Sequence, residues 1–280
     1  MWRQNLPVVT KSRSSLVRLE ALDPQIKVMR QSIVNAWVLW CGIVFVVFLF
    51  NTLIGLVIAP LAMGWLILTT MLRFYHMSQI ENFQHYRQIE ALTNLHALIP
   101  VRQPLPPMRL WAASPDLAVI IWAQIKQHQP QIIVELGTGV STIVAGYAVE
   151  PYGGQIYSFE HQADFAAVNQ ARLEQHQLSD YVTVIHAPLH DGWYTLDQLR
   201  TIQPIDMLIV DGPPGVDIPQ ARYPALPNLV NQLAKHAIII VDDYLRDYDT
   251  VQQWITEFSL EIVEEHINEK GTVVLRKRAG

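Results

Sequence analysis

The segment Ile132-Ile133-Val134-Glu135-Leu136-Gly137-Thr138-Gly139-Val140-Ser141-Thr142 sets an acid and two glycines at the end of an apolar run. It reads as a strand, a tight turn and a helix start. Glycines there can take positive φ or let the backbone pass close to a ligand, and the first turn of the helix offers unpaired N–H groups. Glu160, 21 residues beyond Gly139, closes a second apolar run, Gln155-Ile156-Tyr157-Ser158-Phe159. A ribose-binding carboxylate lies about there in a βαβ nucleotide fold, so the two features together predict a nucleoside-bearing cofactor.

The rhythm continues. Apolar runs of strand length lie at 131–134, 155–159, 182–186, 206–210 and 237–241, with helical stretches such as Ala163 to His176 and Ala225 to Lys235 between them. Near-continuous apolar strands interleaved with helices predict an α/β fold, a doubly wound and mostly parallel sheet covered on both faces. Ser114-Pro115-Asp116 marks a helix entry, with Ser114 as N-cap of a helix over Leu117 to Gln127. The chain closes on a β-hairpin, 260–267 and 272–276, joined by Asn268-Glu269-Lys270-Gly271.

The N-terminal part has a different character. No charged residue occurs between Arg30 and Arg73, a gap of 42 positions. One bilayer span takes about 20 residues, so the gap predicts two, near 32–51 and 54–72, turning at Asn51 to Gly55 with Pro60 inside the second. Arg3, Lys11, Arg13, Arg18, Lys27 and Arg30 precede the first span, and Arg73 and Arg87 follow the second. Both flanks therefore read as cytoplasmic, giving a two-pass membrane protein with its globular domain inside the cell. A signal peptide and a buried helical pair at a soluble dimer interface are the rival readings; the long basic region and the second apolar run fit a signal peptide poorly. The expected organisation is a basic segment 1–31, a transmembrane hairpin 32–72, a helical stalk and proline-rich linker 73–107, and a catalytic domain 108–280. In the stalk Met77, Ile80, Phe83, Tyr86, Ile89, Leu92 and Leu95 recur at three-residue steps, a stripe for packing on the globular domain or for a homodimer through the stalk or membrane helices.

Half of the residues are apolar, ample for a core, and Cys41 is the only cysteine, which excludes a disulfide framework and a cysteine metal site. A net charge of −5 without a concentrated basic patch in the second half argues against nucleic acid as the partner. There is no H-E-x-x-H, no G-x-S-x-G and no G-x-x-x-x-G-K, which argues against a zincin, an α/β-hydrolase triad and a P-loop.

Ligands bind beyond the carboxyl ends of strands in open α/β sheets, and those ends are unusually acidic here: Glu135, Glu160, Asp211 and the pair Asp242-Asp243. With these residues in order, residues 108–280 resemble a class I S-adenosylmethionine-dependent methyltransferase. Glu135-Leu136-Gly137-Thr138-Gly139 matches its first motif, Glu160 its ribose acid, Ile209-Val210-Asp211-Gly212-Pro213-Pro214 its fourth motif, and the terminal hairpin its reversed last strand. The resemblance implies a seven-stranded sheet and S-adenosylmethionine as cofactor, bound by Glu135, Gly137, Thr138, Gly139, Ser141, Glu160, His161 and Asp211. Phe159 and His161 flank the ribose acid, either touching the adenine or serving as core and surface. Relatives place an acid after the third strand to read the adenine; here His186-Ala187-Pro188-Leu189-His190-Asp191 stands there, leaving backbone or Asp191 to serve.

Asp211, Asp242 and Asp243 also resemble the acids by which divalent-cation O-methyltransferases hold magnesium, which would make them both catalytic and metal-binding. The alternative gives Asp211 to the cofactor or to general-base work, with Asp242 and Asp243 capping the next helix. Arg222-Tyr223 and Arg246 are candidates for an anionic or sugar-like acceptor, or else charged surface, and Trp193-Tyr194 either lines the same mouth or packs under the sheet. The expected activity is O-methylation of a small or membrane-associated acceptor: a saccharide, a lipid or a quinone-like molecule. Two other readings stand beside it. One is a cofactor-binding scaffold without turnover. The other is a nicotinamide-dependent oxidoreductase, disfavoured because its third glycine is replaced by Thr142.

Overall fold

The computed structural model describes residues 22–50, 52–195, 197–215 and 220–278, and its contacts divide the chain into two units between Arg87 and Gln88. The first unit is helical. Helix α1 (Leu22–Phe50) is followed by α2 (Thr52–Leu98), a single helix of 47 residues with Pro60 inside it. The expected turn at Asn51 to Gly55 is corrected from Thr52 onward, which is already helical; Asn51 lies outside the described residues. The expected second span and stalk are likewise one continuous helix. Among the described residues one helix is long and apolar enough to cross a membrane, Leu56–Leu98, and none of its apolar window is buried; the apolar stretch of α1, Val34–Val46, is shorter.

The last turns of α2 belong to the second unit, where Gln88, Leu95 and Ile99 are buried. Only Leu95 of the predicted three-residue row is fully buried, while Phe83, Tyr86 and Ile89 are exposed. Three residues advance a helix by 300° rather than 360°, so such a row winds off the packed face. The linker after it is no free hinge, because Val101, Leu105 and Met108 pack on the core and the Arg102 amide donates to the Tyr147 hydroxyl at 2.7 Å.

Helix α3 (Pro115–His128) starts where the sequence indicated, with Ser114 at the N-cap. The Ser114 hydroxyl does not cap the helix, however. It turns to the Asp116 carboxylate, which accepts the Leu117 amide. Then follow β1 (Ile132–Leu136), α4 (Val140–Val149), β2 (Gln155–Glu160), α5 (Ala163–Gln175) and β3 (Val182–His186). A small ribbon, β4 (Leu189–His190) with β5 (Trp193–Tyr194), precedes β6 (Ile205–Val210), α6 (Ala225–Leu229), β7 (Leu233–Val241), α7 (Tyr248–Glu257), β8 (Leu260–His266) and β9 (Thr272–Lys277). The helix expected to reach Lys235 stops at Leu229, because the chain is taken up from Leu233 into β7, where Leu233 pairs with Ile205.

The main sheet has seven strands in the order β3-β2-β1-β6-β7-β9-β8, parallel through β7 and antiparallel at β9 and β8. Ile133, Ile156, Met207, Ile209, Ile238 and Ile240 form one buried cluster with α3 and α4. Their neighbours Val134, Phe159, Leu208 and Ile239 are also buried, on the opposite face, which is the period of two that a covered sheet requires. Strand order reverses between β1 and β6, the place where an open α/β sheet opens a crevice for a ligand.

Candidate active site

The strand ladder carries the predicted residues to one edge. β1 lies between β2 and β6, with Glu135 opposite Ser158 on one side and Ile209 on the other. Just past the strands the pairing persists: the Gly137 amide donates to the Phe159 carbonyl, the Asp211 amide to that of Leu136, and the Asp242 amide to that of Val210, at 2.9, 3.0 and 3.0 Å. Three loops therefore leave the sheet side by side.

Glu135 lies within β1 and is fully buried. Its Oε2 accepts from the Thr142 hydroxyl at 2.6 Å and from Ser158 at 2.8 Å, while Oε1 has no hydrogen-bond partner. Burial pushes its carboxyl above the usual range, opposed by the hydroxyls of Thr142, Ser141 and Ser158. Thr142, which sequence reasoning treated only as a missing glycine, is the hub of the turn, since its oxygen also accepts the Gly139 amide at 2.9 Å and lies 3.1 Å from the Thr138 hydroxyl. Gly137 has φ +97°, which favours glycine, and a Cβ there would touch the Asp211–Gly212 backbone at 3.4 Å. At Gly139 a Cβ would meet nothing within 4 Å; it would project into open space.

That space is a cavity of about 720 Å³ lined by the 137–141 loop, Glu160 to Gln162, Tyr194, Asp211-Gly212 and the segment from Pro106 to Ala113. Glu160 is the last residue of β2, and its Oε1 takes both the His161 Nδ1 and the Gln162 amide at 2.8 Å. Tyr194 reaches the cavity from β5; a Cβ on Gly212 would lie 2.3 Å from its hydroxyl, so a larger residue there would displace the Tyr194 ring. Asp191 does not serve the cavity, because its side chain is 92% exposed beside His190. His186 and His190 stand four residues apart but on β3 and β4 rather than on a helix, so they do not form a helical metal pair.

A partnerless buried carboxylate oxygen, a glycine turn at the cavity floor and an acid at its wall suit S-adenosylmethionine, with Glu135, Gly137, Gly139 and Glu160 as the residues that would hold it. The loop, with Thr142 at the third-glycine position and the Glu135 carboxylate before the turn, suits a dinucleotide less well.

Beyond the cavity wall lies the acid cluster. Asp211, Asp242 and Asp243 come together as expected, with ligand atoms within 4.8 Å of one another. Asp242 is buried and neither of its side-chain oxygens has a hydrogen-bond partner. Burial raises Asp211 to about 6, relieved by Arg222 and reinforced by Asp243, and raises Asp242 as well, reinforced by Asp211 and Asp243. Arg222 and Arg246, candidates for an acceptor or for charged surface, pair with the acids. The Arg222 Nη2 donates to the Asp243 carboxylate at 2.9 Å and the Asp211 carbonyl at 2.6 Å, and stands 3.4 Å from the Asp211 carboxylate. Arg246 pairs with Asp243 at 3.1 Å and Asp247 at 2.8 Å, and Tyr223 turns away to Glu257.

A third cation, Lys270, was not singled out in the sequence. Its Nζ lies 3.7 Å from Asp242 and 3.8 Å from Asp243. Burial works against its charge, but Asp242, Asp243 and Asp211 outweigh it and hold the ammonium protonated. By donor type the triad suits a hard cation. Charge opposes one, because Arg222, Arg246 and Lys270 already offset three of the four carboxylates of Asp211, Asp242, Asp243 and Asp247.

Residues 134–244 match the family model described as a methyltransferase domain. Among solved structures, an O-methyltransferase from Bacillus cereus in complex with SAH is 17% identical over 68% of this chain and 90% of its own, with a TM-score of 0.50. A methyltransferase of Podospora anserina bound to SAH is 13% identical over 73% of this chain and 96% of its own, with a TM-score of 0.51. These structures share the fold. No curated protein matches the sequence.

Proposed function

Taking as premise that residues 134–244 form an S-adenosylmethionine-dependent methyltransferase domain, we propose that this chain is a membrane-anchored enzyme that methylates an oxygen of a membrane-associated acceptor. The acceptor class is a lipid-linked saccharide, a lipid headgroup or a quinone-like molecule. The observation that carries the reading is the single cavity that gathers the Gly137–Gly139 turn, Glu160 and Asp211 beside the partnerless Glu135 carboxylate.

The buried Glu135 and the turn around Thr142 would hold the methionine end of the ligand, and Glu160 would accept hydrogen bonds from its ribose. Bound there, S-adenosylmethionine would supply a methyl group that is already activated. Asp211, titrating at about 6 in the cavity wall, is ionised at neutral pH and takes the proton that the acceptor's hydroxyl releases.

The anchor is supported by the unburied apolar window within Leu56–Leu98, by the apolar stretch of α1, and by Lys27 and Arg30 before the uncharged stretch and Arg73 and Arg87 after it, which favours a two-pass hairpin with the catalytic domain in the cytoplasm where its cofactor is made. A magnesium ion on Asp211, Asp242 and Asp243 is the competing reading of the acceptor side, favoured by the partnerless oxygens of Asp242 and opposed by the cations beside them. The test of the activity is transfer of labelled methyl from S-adenosylmethionine into a membrane extract by the full chain in detergent. A labelled product that vanishes with Asp211→Asn is expected; transfer unaffected by that substitution would remove Asp211 from the chemistry.

A further inference from the structure

We propose that the ammonium of Lys270 takes the place a divalent cation would fill in the acid cluster, so that the acceptor side of this site works without a metal and receives one acceptor oxygen rather than a chelating pair. The inference rests on the methyltransferase reading above.

The placement of Lys270 is the first ground. It sits in the β8–β9 turn, which is fixed from several sides. The Tyr244 amide donates to the Gly271 carbonyl at 3.0 Å and the Leu245 amide to that of Lys270 at 3.3 Å, so the turn is paired to the chain immediately after Asp243. The Glu269 amide donates to the Asp116 carboxylate at 3.1 Å, and the Glu269 carboxylate takes the Arg109 guanidinium in a two-pronged pair at 2.9 to 3.1 Å. Gly271 has φ +77°, and a Cβ on it would lie 2.6 Å from the Leu245 side chain, so the turn is packed against that chain as tightly as a glycine allows. The ammonium is delivered by a rigid element, not by a wandering surface side chain.

Charge is the second ground. Arg222, itself buried, bridges Asp211 and Asp243 from one side. The Asp242 carboxylate is left without a hydrogen bond, and the cation that faces it is Lys270. A dication drawn onto these carboxylates would stand within a few ångströms of an ammonium and a guanidinium, and like charges at that range in a poorly solvated site repel. An ammonium also differs from a dication in what it offers an acceptor. It donates hydrogen bonds to an oxygen but has no coordination sphere that requires two. The acceptor class is accordingly a compound with a single reacting hydroxyl or carboxylate.

The test is a titration of the full chain in detergent with Mn²⁺, followed by the electron paramagnetic resonance signal of the free ion, with and without S-adenosylhomocysteine. The wild type is expected to leave micromolar Mn²⁺ free. Lys270→Met, which removes the ammonium and keeps the stem, is expected to tighten Mn²⁺ binding by on the order of tenfold or more. Micromolar binding by the wild type that disappears in Asp242→Asn overturns the proposal, as does a Lys270→Met protein that binds no more Mn²⁺ than the wild type. If Lys270→Met fails to fold, the wild-type and Asp242→Asn titrations decide alone. Failure to bind S-adenosylhomocysteine in the same samples would count against the methyltransferase reading instead, and the Mn²⁺ result stands apart from it.

Discussion

The hydroxyl of Thr142 joins three parts of the turn, donating to Glu135 while it accepts from the Gly139 amide and the Thr138 hydroxyl. Thr142→Val keeps the shape and removes the donor, leaving a buried carboxylate with Ser158 as its nearest remaining support. We expect a stability loss of about 1–3 kcal/mol and a weaker grip on S-adenosylhomocysteine, read from urea unfolding and calorimetry respectively. Gly137→Ala forces φ +97° on a residue with a Cβ and should cost about 1–3 kcal/mol in the same unfolding assay. His176 gives a pH signature. Its Nδ1 lies 2.8 Å from the Tyr147 hydroxyl, and burial, helped by Arg102, holds its pKa below the ordinary value. The folded chain thus binds fewer protons than the unfolded one, so this stability is present above about pH 6.5 and lost as pH falls below it. His176→Gln should flatten the change in urea midpoint between neutral and mildly acidic pH; an unchanged slope would remove His176 as its source. Glu135, Glu160 and the Asp211, Asp242, Asp243 set were legible because each follows an apolar run. Lys270 was not, because nothing local in Asn268-Glu269-Lys270-Gly271 shows that the turn folds back onto the chain after Asp243.

Helices and strands were read with uneven success, for physical reasons. β3 falls on 182–186 as its apolar run predicted, and the terminal hairpin is where its polar turn put it. The end of α6 was missed because residues after Leu229 suit helix or strand by composition, and pairing of Leu233 with Ile205 settles the matter from across the sheet. The stalk shows the reverse case: its three-residue row was real in sequence, yet the packed face follows the helical period through Gln88, Leu95 and Ile99. Leu95→Ala should therefore cost about 2–5 kcal/mol in the stability of the globular unit, whereas Phe83→Ala, at an exposed position, should leave it unchanged. Equal losses in both variants would show that the row itself is the packing face.

At the scale of the whole molecule, composition separated an uncharged apolar stretch from an alternating α/β part, whereas the structure divides the chain between Arg87 and Gln88, inside the segment expected to be stalk and linker. The exact seam was hidden because α2 runs unbroken through the change in composition from Thr52 to Leu98. Retention in the membrane fraction after alkaline carbonate washing, and release by detergent, is expected of the anchor; release by carbonate would contradict it. The cofactor site itself is tested most directly by calorimetry of the full chain in detergent with S-adenosylmethionine, S-adenosylhomocysteine and NAD, repeated on Glu160→Ala. The account predicts micromolar binding of the two sulfur cofactors, none of NAD, and a loss of about tenfold to a hundredfold in the variant, as expected for a carboxylate that accepts charge-assisted hydrogen bonds. A folded protein that binds neither sulfur cofactor, or binds them equally well without Glu160, would contradict it.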